Sequence, residues 1–234
     1  MKEQALSRRG FIGKITAGAA TLGLSMLASP LQASVKHAKS NNDNTLTRPD
    51  EPDAWFNQIK GKHRIVYDAA EINGMMPFAW PRVFLMTNEM TGTPGNDCGV
   101  LVVLRHEAIP YALGNEVWQK YHLGEVFKFN DPATGKPSLR NPFWNPGPND
   151  FNVPGVGAVQ IGINQLQDNG VLFCACDMAL TVNSAAVAAK MEMDAAEVKQ
   201  DWVSGVLPGI EVVPSGVWAV GRAQEHGCAY CYAG

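Results

Sequence analysis

Charge is scarce in this chain. Asp, Glu, Lys and Arg make up 18% of its 234 residues, against about a quarter in an average soluble domain. Neither sign dominates, with 19 basic and 22 acidic residues and a net charge of −3. A basic face for nucleic acid is therefore missing, and no nucleic-acid partner is expected. Internal repeats are absent as well. Beyond the first 33 residues no apolar run is long enough to span a membrane. Cysteine is sparse and odd in number, at five. A scaffold of disulfides would leave one thiol unpaired, and a chain of this length buries its own core without staples. The arithmetic favours a functional free thiol or a metal site.

The N-terminus has a separate character. Residues 7–14 read SRRGFIGK and continue as ITAGAATLGLSMLASPLQA. A positive start, a mildly apolar middle rich in Gly and Ala, and small residues near Ala33 are the parts of a cleavable signal peptide over residues 1–33. Gly10, Gly13, Gly18 and Gly23 speak against a helix of the fold. The paired Arg8 and Arg9 ahead of Phe11 resemble the twin-arginine class of export signals. The likeness implies a periplasmic or otherwise exported protein that folds in the reducing cytoplasm, with thiols buried or metal-loaded before they cross. Lys2, Arg8, Arg9 and Lys14 against Glu3 give this leader +3, which leaves the remainder at −6. Residues 34–54 are polar, without apolar periodicity, and read as a flexible tether.

From residue 55 onward, strand-like and helix-like stretches alternate. HRIVYDAAE (63–71), GVLVVLRHEA (99–108), VLFCAC (171–176), IEVVPS (210–215) and CAYCYA (228–233) read as strands. Helices are predicted over 77–91, 110–121, 155–170, 178–189, 194–204 and 215–227. This order specifies an α/β fold with a mainly parallel sheet and right-handed crossovers. Between Leu123 and Pro154 the pattern dissolves. NPFWNPGPNDFNVPG (141–155) holds four of the 15 prolines and predicts a long loop insertion at 123–155 that serves as a lid, a binding loop or an interface. Its aromatic group, Phe143, Trp144 and Phe151, suits an interface better than a cofactor stack.

NGVLFCACDMAL, followed by LPGIEVVPSGVWAVGRAQEHGCAY, resembles the DsrE/DsrF-like family, which includes sulfur-relay proteins of the TusD type. The family shows a G-V-x-[FL]-x-x-C strand, matched here by Gly170, Val171, Phe173 and Cys176. Later comes V-x-S-G-[VL]-x-x-[LI]-x-x-x-Q, for which Val213, Ser215, Gly216, Val217, Val220 and Gln224 stand in this chain. GVLVVLRHEAIPYAL is similar to the family's second strand and following helix. The likeness covers roughly residues 62–122 and 156–233. It implies a flavodoxin-like three-layer sandwich, assembly into a homo-oligomer (dimer, trimer or hexamer), and a sulfur donor or acceptor protein as partner. It also implies that Cys176 carries sulfur. A physical argument agrees: open α/β sheets place their sites at the carboxyl ends of strands. There the following helix start favours a thiolate. Members of this family work mostly in the cytoplasm, so export points instead to periplasmic sulfur-compound metabolism.

The remaining candidates keep several readings. Cys174 lies two residues before Cys176 and on a strand shares its face. It packs, ligates a metal or serves as a redox partner. Cys228 and Cys231 have the spacing of a metal knuckle or redox pair on a turn, but on a strand they face opposite sides. Together Cys174, Cys176, Cys228 and Cys231 are the candidate ligands for zinc or copper. Met75, Met76, Met86, Met90, Met178, Met191 and Met193 keep copper in view, although helix packing accounts for Met75–Met76 and Met86–Met90 equally well. Cys98 opens a strand as a packing residue. His106 ends a strand at the sheet edge where Cys176 emerges. With Glu107 it either positions or deprotonates a thiol, ligates a metal, or bonds to backbone. His226 caps a helix C-terminus. Three functions of different kind follow: sulfane-sulfur handling through Cys176, soft-metal binding through the four cysteines, and a non-catalytic oligomeric subunit.

Overall fold

The computed structural model describes residues 53–234; the expected leader and nearly all of the tether lie outside the described residues. Runs of β-branched and aromatic residues form three central strands, β1 (His63–Ala69), β2 (Cys98–Leu104) and β3 (Val171–Cys176). The strands β4 (Ile210–Val213) and β5 (Ala229–Tyr232) form the edges. The spatial order is β4-β3-β2-β1-β5, and every neighbouring pair is parallel. The central position of β2 explains its unbroken apolar sequence, since all seven of its residues are buried.

Parallel neighbours require crossovers, here supplied by α1 (Met76–Met90), α2 (Asn115–Lys120), α3 (Leu123–Val126), α4 (Ile163–Asp168), α5 (Asp177–Met191), α6 (Ala195–Ser204) and α7 (Gly216–Glu225). The first three crossovers step in one direction across the sheet, so their helices share one face. There Phe78, Leu85, Trp118, Leu180, Val187 and Trp202 pack on Val100, Val102, Leu104 and Phe173. The last crossover runs from one edge to the other, in the opposite direction, and right-handedness puts α7 on the second face. Ala219 and Ala223 of α7 cover Val66, Leu101, Val103, Cys174 and Val213, with Phe56 from a short 3-10 turn (Ala54–Gln58) beside them. The chain is thus an α/β three-layer sandwich of flavodoxin-like architecture. Unlike flavodoxin, which places its second strand outside the first, it steps inward from β1 to β4 before returning to the far edge.

All five strands, and helices α1, α5, α6 and α7, lie where the periodicity predicts them. Two predicted helices are shorter. The helix expected over 110–121 is broken into a 3-10 stretch, His106–Ala112, and α2. Between them the backbone is extended: Leu113 bridges Val206, and the N–H of Leu207 bonds the carbonyl of Ala112 at 2.9 Å. The helix expected over 155–170 exists only as α4. Gly155 (φ +80°) and Gly157 (φ +92°) instead form a small hairpin that pairs Asn152–Val153 with Gly157–Ala158, a backbone that glycine adopts without strain.

The proline-rich insertion packs part of itself into the core. Phe143 is fully buried and stacks on Phe78 at 4.2 Å and on Phe151 at 4.8 Å, so two of the aromatic residues assigned to an interface belong to this chain's own core. Asn141, also fully buried, donates to the carbonyls of Tyr111 and Leu113 at 2.8 and 2.9 Å and accepts from the N–H of Phe143 at 3.0 Å. Arg140 bridges Asp131 and Asp150 at 2.6 and 3.0 Å. A buried amide satisfied on every side substitutes for the helix or strand that prolines forbid. Phe143→Ala therefore lowers the unfolding free energy by about 3–5 kcal/mol. The shift in the denaturant midpoint measures it, and a loss below 1 kcal/mol would contradict the packing described.

Candidate functional site

The strand β3 ends at Cys176, and the next residue begins α5. Cys176 is the N-cap of that helix: its Sγ accepts a hydrogen bond from the N–H of Ala179 at 3.3 Å. Serine, threonine or aspartate ordinarily fill this role; here a sulfur does, at the positive end of a helix of 15 residues. Beside it the carboxyl ends of β2 and β4 and the start of α7 enclose a pocket of about 350 Å³, lined by Arg105, His106, Cys176, Val182, Ser215 and Val217 among others. Cys176 has 6% of its surface exposed, so its access runs through this pocket.

Two neighbours define the polar side. Asp68, near the end of β1 and 3% exposed, takes the Arg105 guanidinium in a bidentate grip, Nε–Oδ1 2.6 Å and Nη2–Oδ2 2.9 Å. Tyr230 on β5 donates its hydroxyl to Oδ2 of Asp68 at 2.9 Å. Hydrogen bonding to Asp68 raises the proton affinity of Arg105 further, and the sulfur of Cys176 acts in the same direction. A buried carboxylate must be paired, and Asp68 meets that demand by fixing the arginine at the mouth of the pocket. The start of α7 closes the site. Ser215 is its N-cap, accepting from the N–H of Trp218 at 3.3 Å. A Cβ on Gly216 would lie 2.6 Å from Cβ and 2.7 Å from Cδ of Arg105. The serine–glycine pair thus has two physical duties: one residue starts the helix and the next lets it touch the arginine stem.

Cys176 and His106 meet in this pocket as expected; the other candidates do not join them. His106 is exposed, adopts a left-handed backbone (φ +50°), and has its carbonyl bonded by Nδ2 of Asn183 at 3.2 Å. Among the described residues its imidazole makes no hydrogen bond to Cys176. Glu107 lies in a separate pocket with Lys128 and Lys190, away from the thiol it was expected to assist. Cys174 is fully buried under α7. Burial pushes its thiol well above the ordinary range, with smaller contributions from Cys176 and Glu211, and its side chain packs in the α7 face of the core.

The proposed four-cysteine metal set does not assemble. Cys228 packs with the α7 face, and Cys231 lies against the opposite core. Among the described residues no cluster of three or more His, Cys, Asp or Glu side chains is disposed to hold a metal ion. Met86 and Met90 are exposed rather than packed, at 38% and 81%. His226 caps the end of α7 as expected. Arg105 is the residue that sequence reasoning missed. Its signal was Asp68, the one acid in β1 and set in the strand's buried second half, where it requires a partner from the next strand end.

Two outcomes test this geometry. Gly216→Ala costs about 1–3 kcal/mol through overpacking against Arg105. Gly221→Ala, whose added Cβ meets nothing within 4 Å, serves as the control and gains up to about 1 kcal/mol. Equal effects in denaturant titrations would refute the close approach. In the native protein at neutral pH, iodoacetamide modifies Cys176 ahead of Cys174; peptide mass spectrometry giving the reverse order would contradict the assignment of the pocket.

No family model matches this chain, and no curated protein matches it. Among solved structures, it is similar to the protein of unknown function MTH1491 from Methanobacterium thermoautotrophicum, at 19% identity and a TM-score of 0.36 over 73% of this chain and 99% of that one.

Proposed function

We propose that the chain is an exported member of the DsrE/DsrF-like group that takes up sulfane sulfur as a persulfide on Cys176 and passes it on. The observation that carries the reading is the placement of one sulfur: Sγ of Cys176 accepts the Ala179 N–H at a helix start and borders a pocket of about 350 Å³. The N-terminus of a helix, with its free N–H groups and dipole, favours an anionic group such as a terminal persulfide. Residues matched to the resemblance support it further. Ser215 and Gly216 form the start of α7 against Arg105, and Cys176 stands at the mouth of the same pocket.

The chemistry is a displacement on sulfur. The Cys176 thiolate attacks the sulfane sulfur of a donor; the Sγ–S bond forms as the donor's S–S bond breaks, and the leaving group departs with the electron pair. An acceptor thiolate then attacks the outer sulfur of the persulfide and regenerates Cys176. Cys174 stays protonated beneath the site and supports the strand end. Export through the twin-arginine route sets this exchange in the periplasm, with a homo-oligomer and a separate acceptor protein as the assembly.

Treatment of the purified protein with polysulfide, followed by peptide mass spectrometry, adds the mass of one or more sulfur atoms to the peptide containing Cys176. Cyanide removes the label as thiocyanate. Cys176→Ser abolishes the uptake, and Cys174→Ser retains it. Uptake that persists in Cys176→Ser would end the proposal.

A further inference from the structure

We infer that the pocket beside Cys176 is a binding site for a small anion, with Arg105 holding its charged end, so that the sulfur donor is an anionic species. This deepens the persulfide reading and rests on it for the identity of the donor. The site is built from four features. Arg105 spends Nε and Nη2 on Asp68, and its Nη1 has no protein acceptor among the described residues. The bidentate grip of a carboxylate that is itself buried and bonded by Tyr230 fixes the plane of the guanidinium. None of the residues lining the pocket is acidic. Asp68 is taken up by Nε and Nη2 of the same guanidinium, Asp177 is engaged by Lys199 at 3.1 Å, and Glu107 lines a different pocket.

The opposite wall is apolar and open. Met178, Val182 and Val217 line it with exposures of 51%, 61% and 67%. A cation on one side and polarisable carbon and sulfur on the other suit an ion with a charged head and a soft sulfur end. Thiosulfate is the simplest probe with both. The Cys176 thiolate attacks its outer sulfur; the Sγ–S bond forms, the S–S bond breaks, and sulfite leaves with the electron pair. Charge balances without an added oxidant or reductant.

The test compares two alkylating reagents of similar size and opposite character, anionic iodoacetate and neutral iodoacetamide, by their rates at Cys176 in the folded protein. Arg105→Gln lowers the iodoacetate-to-iodoacetamide rate ratio by about fivefold, the effect of one partly exposed charge-assisted hydrogen bond. Thiosulfate protects Cys176 from iodoacetamide in the wild type and not in the variant. Because Arg105→Gln leaves Asp68 without its partner, the double variant Asp68→Asn/Arg105→Gln, with its fold checked by circular dichroism, is read in the same way. An unchanged ratio in both variants overturns the anion site, even if polysulfide still loads Cys176. A lowered ratio upholds it, even if no sulfur is ever transferred, in which case the persulfide function alone falls.

Discussion

Asp68 sets a carboxyl group in the buried second half of β1, and the fold leaves almost none of its surface in water. A buried carboxylate without a partner would be strongly destabilising. The partner comes from the adjacent parallel strand: Arg105 begins where β2 stops, and its N–H also bonds the carbonyl of Ala69 at 3.0 Å. That one ion pair orders everything beside it. It aims a guanidinium at the carboxyl edge of the sheet, requires a glycine at the first turn of α7, and gives the pocket of Cys176 its polar wall.

The winding of the sheet supplies the second condition. Three steps in one direction stack α1 through α6 on one face, and the single return step lays α7 on the other. Helix starts from both layers thereby reach the same edge, α5 beginning at Cys176 and α7 at Ser215. Neither helix makes a site alone. Their convergence at one strand end produces a concave space with Arg105, Cys176 and Ser215 in its lining.

Within this frame the five cysteines separate by physics rather than by spacing. The two thiols of the C-x-C sequence share a strand parity, yet one lies under α7 in a medium that disfavours its charge, while the other caps a helix. The C-x-x-C pair straddles the sheet. A spacing rule written for turns fails on an edge strand because successive side chains alternate faces. The proline-rich insertion was misjudged for a related reason. Its prolines and its length suggested a lid, a binding loop or an interface, but Asn141 bonds the carbonyls of Tyr111 and Leu113 from within and Phe143 enters the core.

The strands, the main helices, the α/β class and the strand-end position of Cys176 were legible from the order of residues, because periodicity and β-branched runs encode which faces are buried. The sequence by itself also determined which residue types were available: an odd set of thiols, a lone acid in β1, and a serine–glycine pair at the start of α7. Only the tertiary structure decided their company. That Asp68 meets Arg105, that Gly216 rests on the arginine stem, and that Glu107 turns away from the thiol depend on the direction of one crossover and the register of parallel strands far apart in sequence. Local pattern holds no record of such long-range geometry, which arises only when the layers pack.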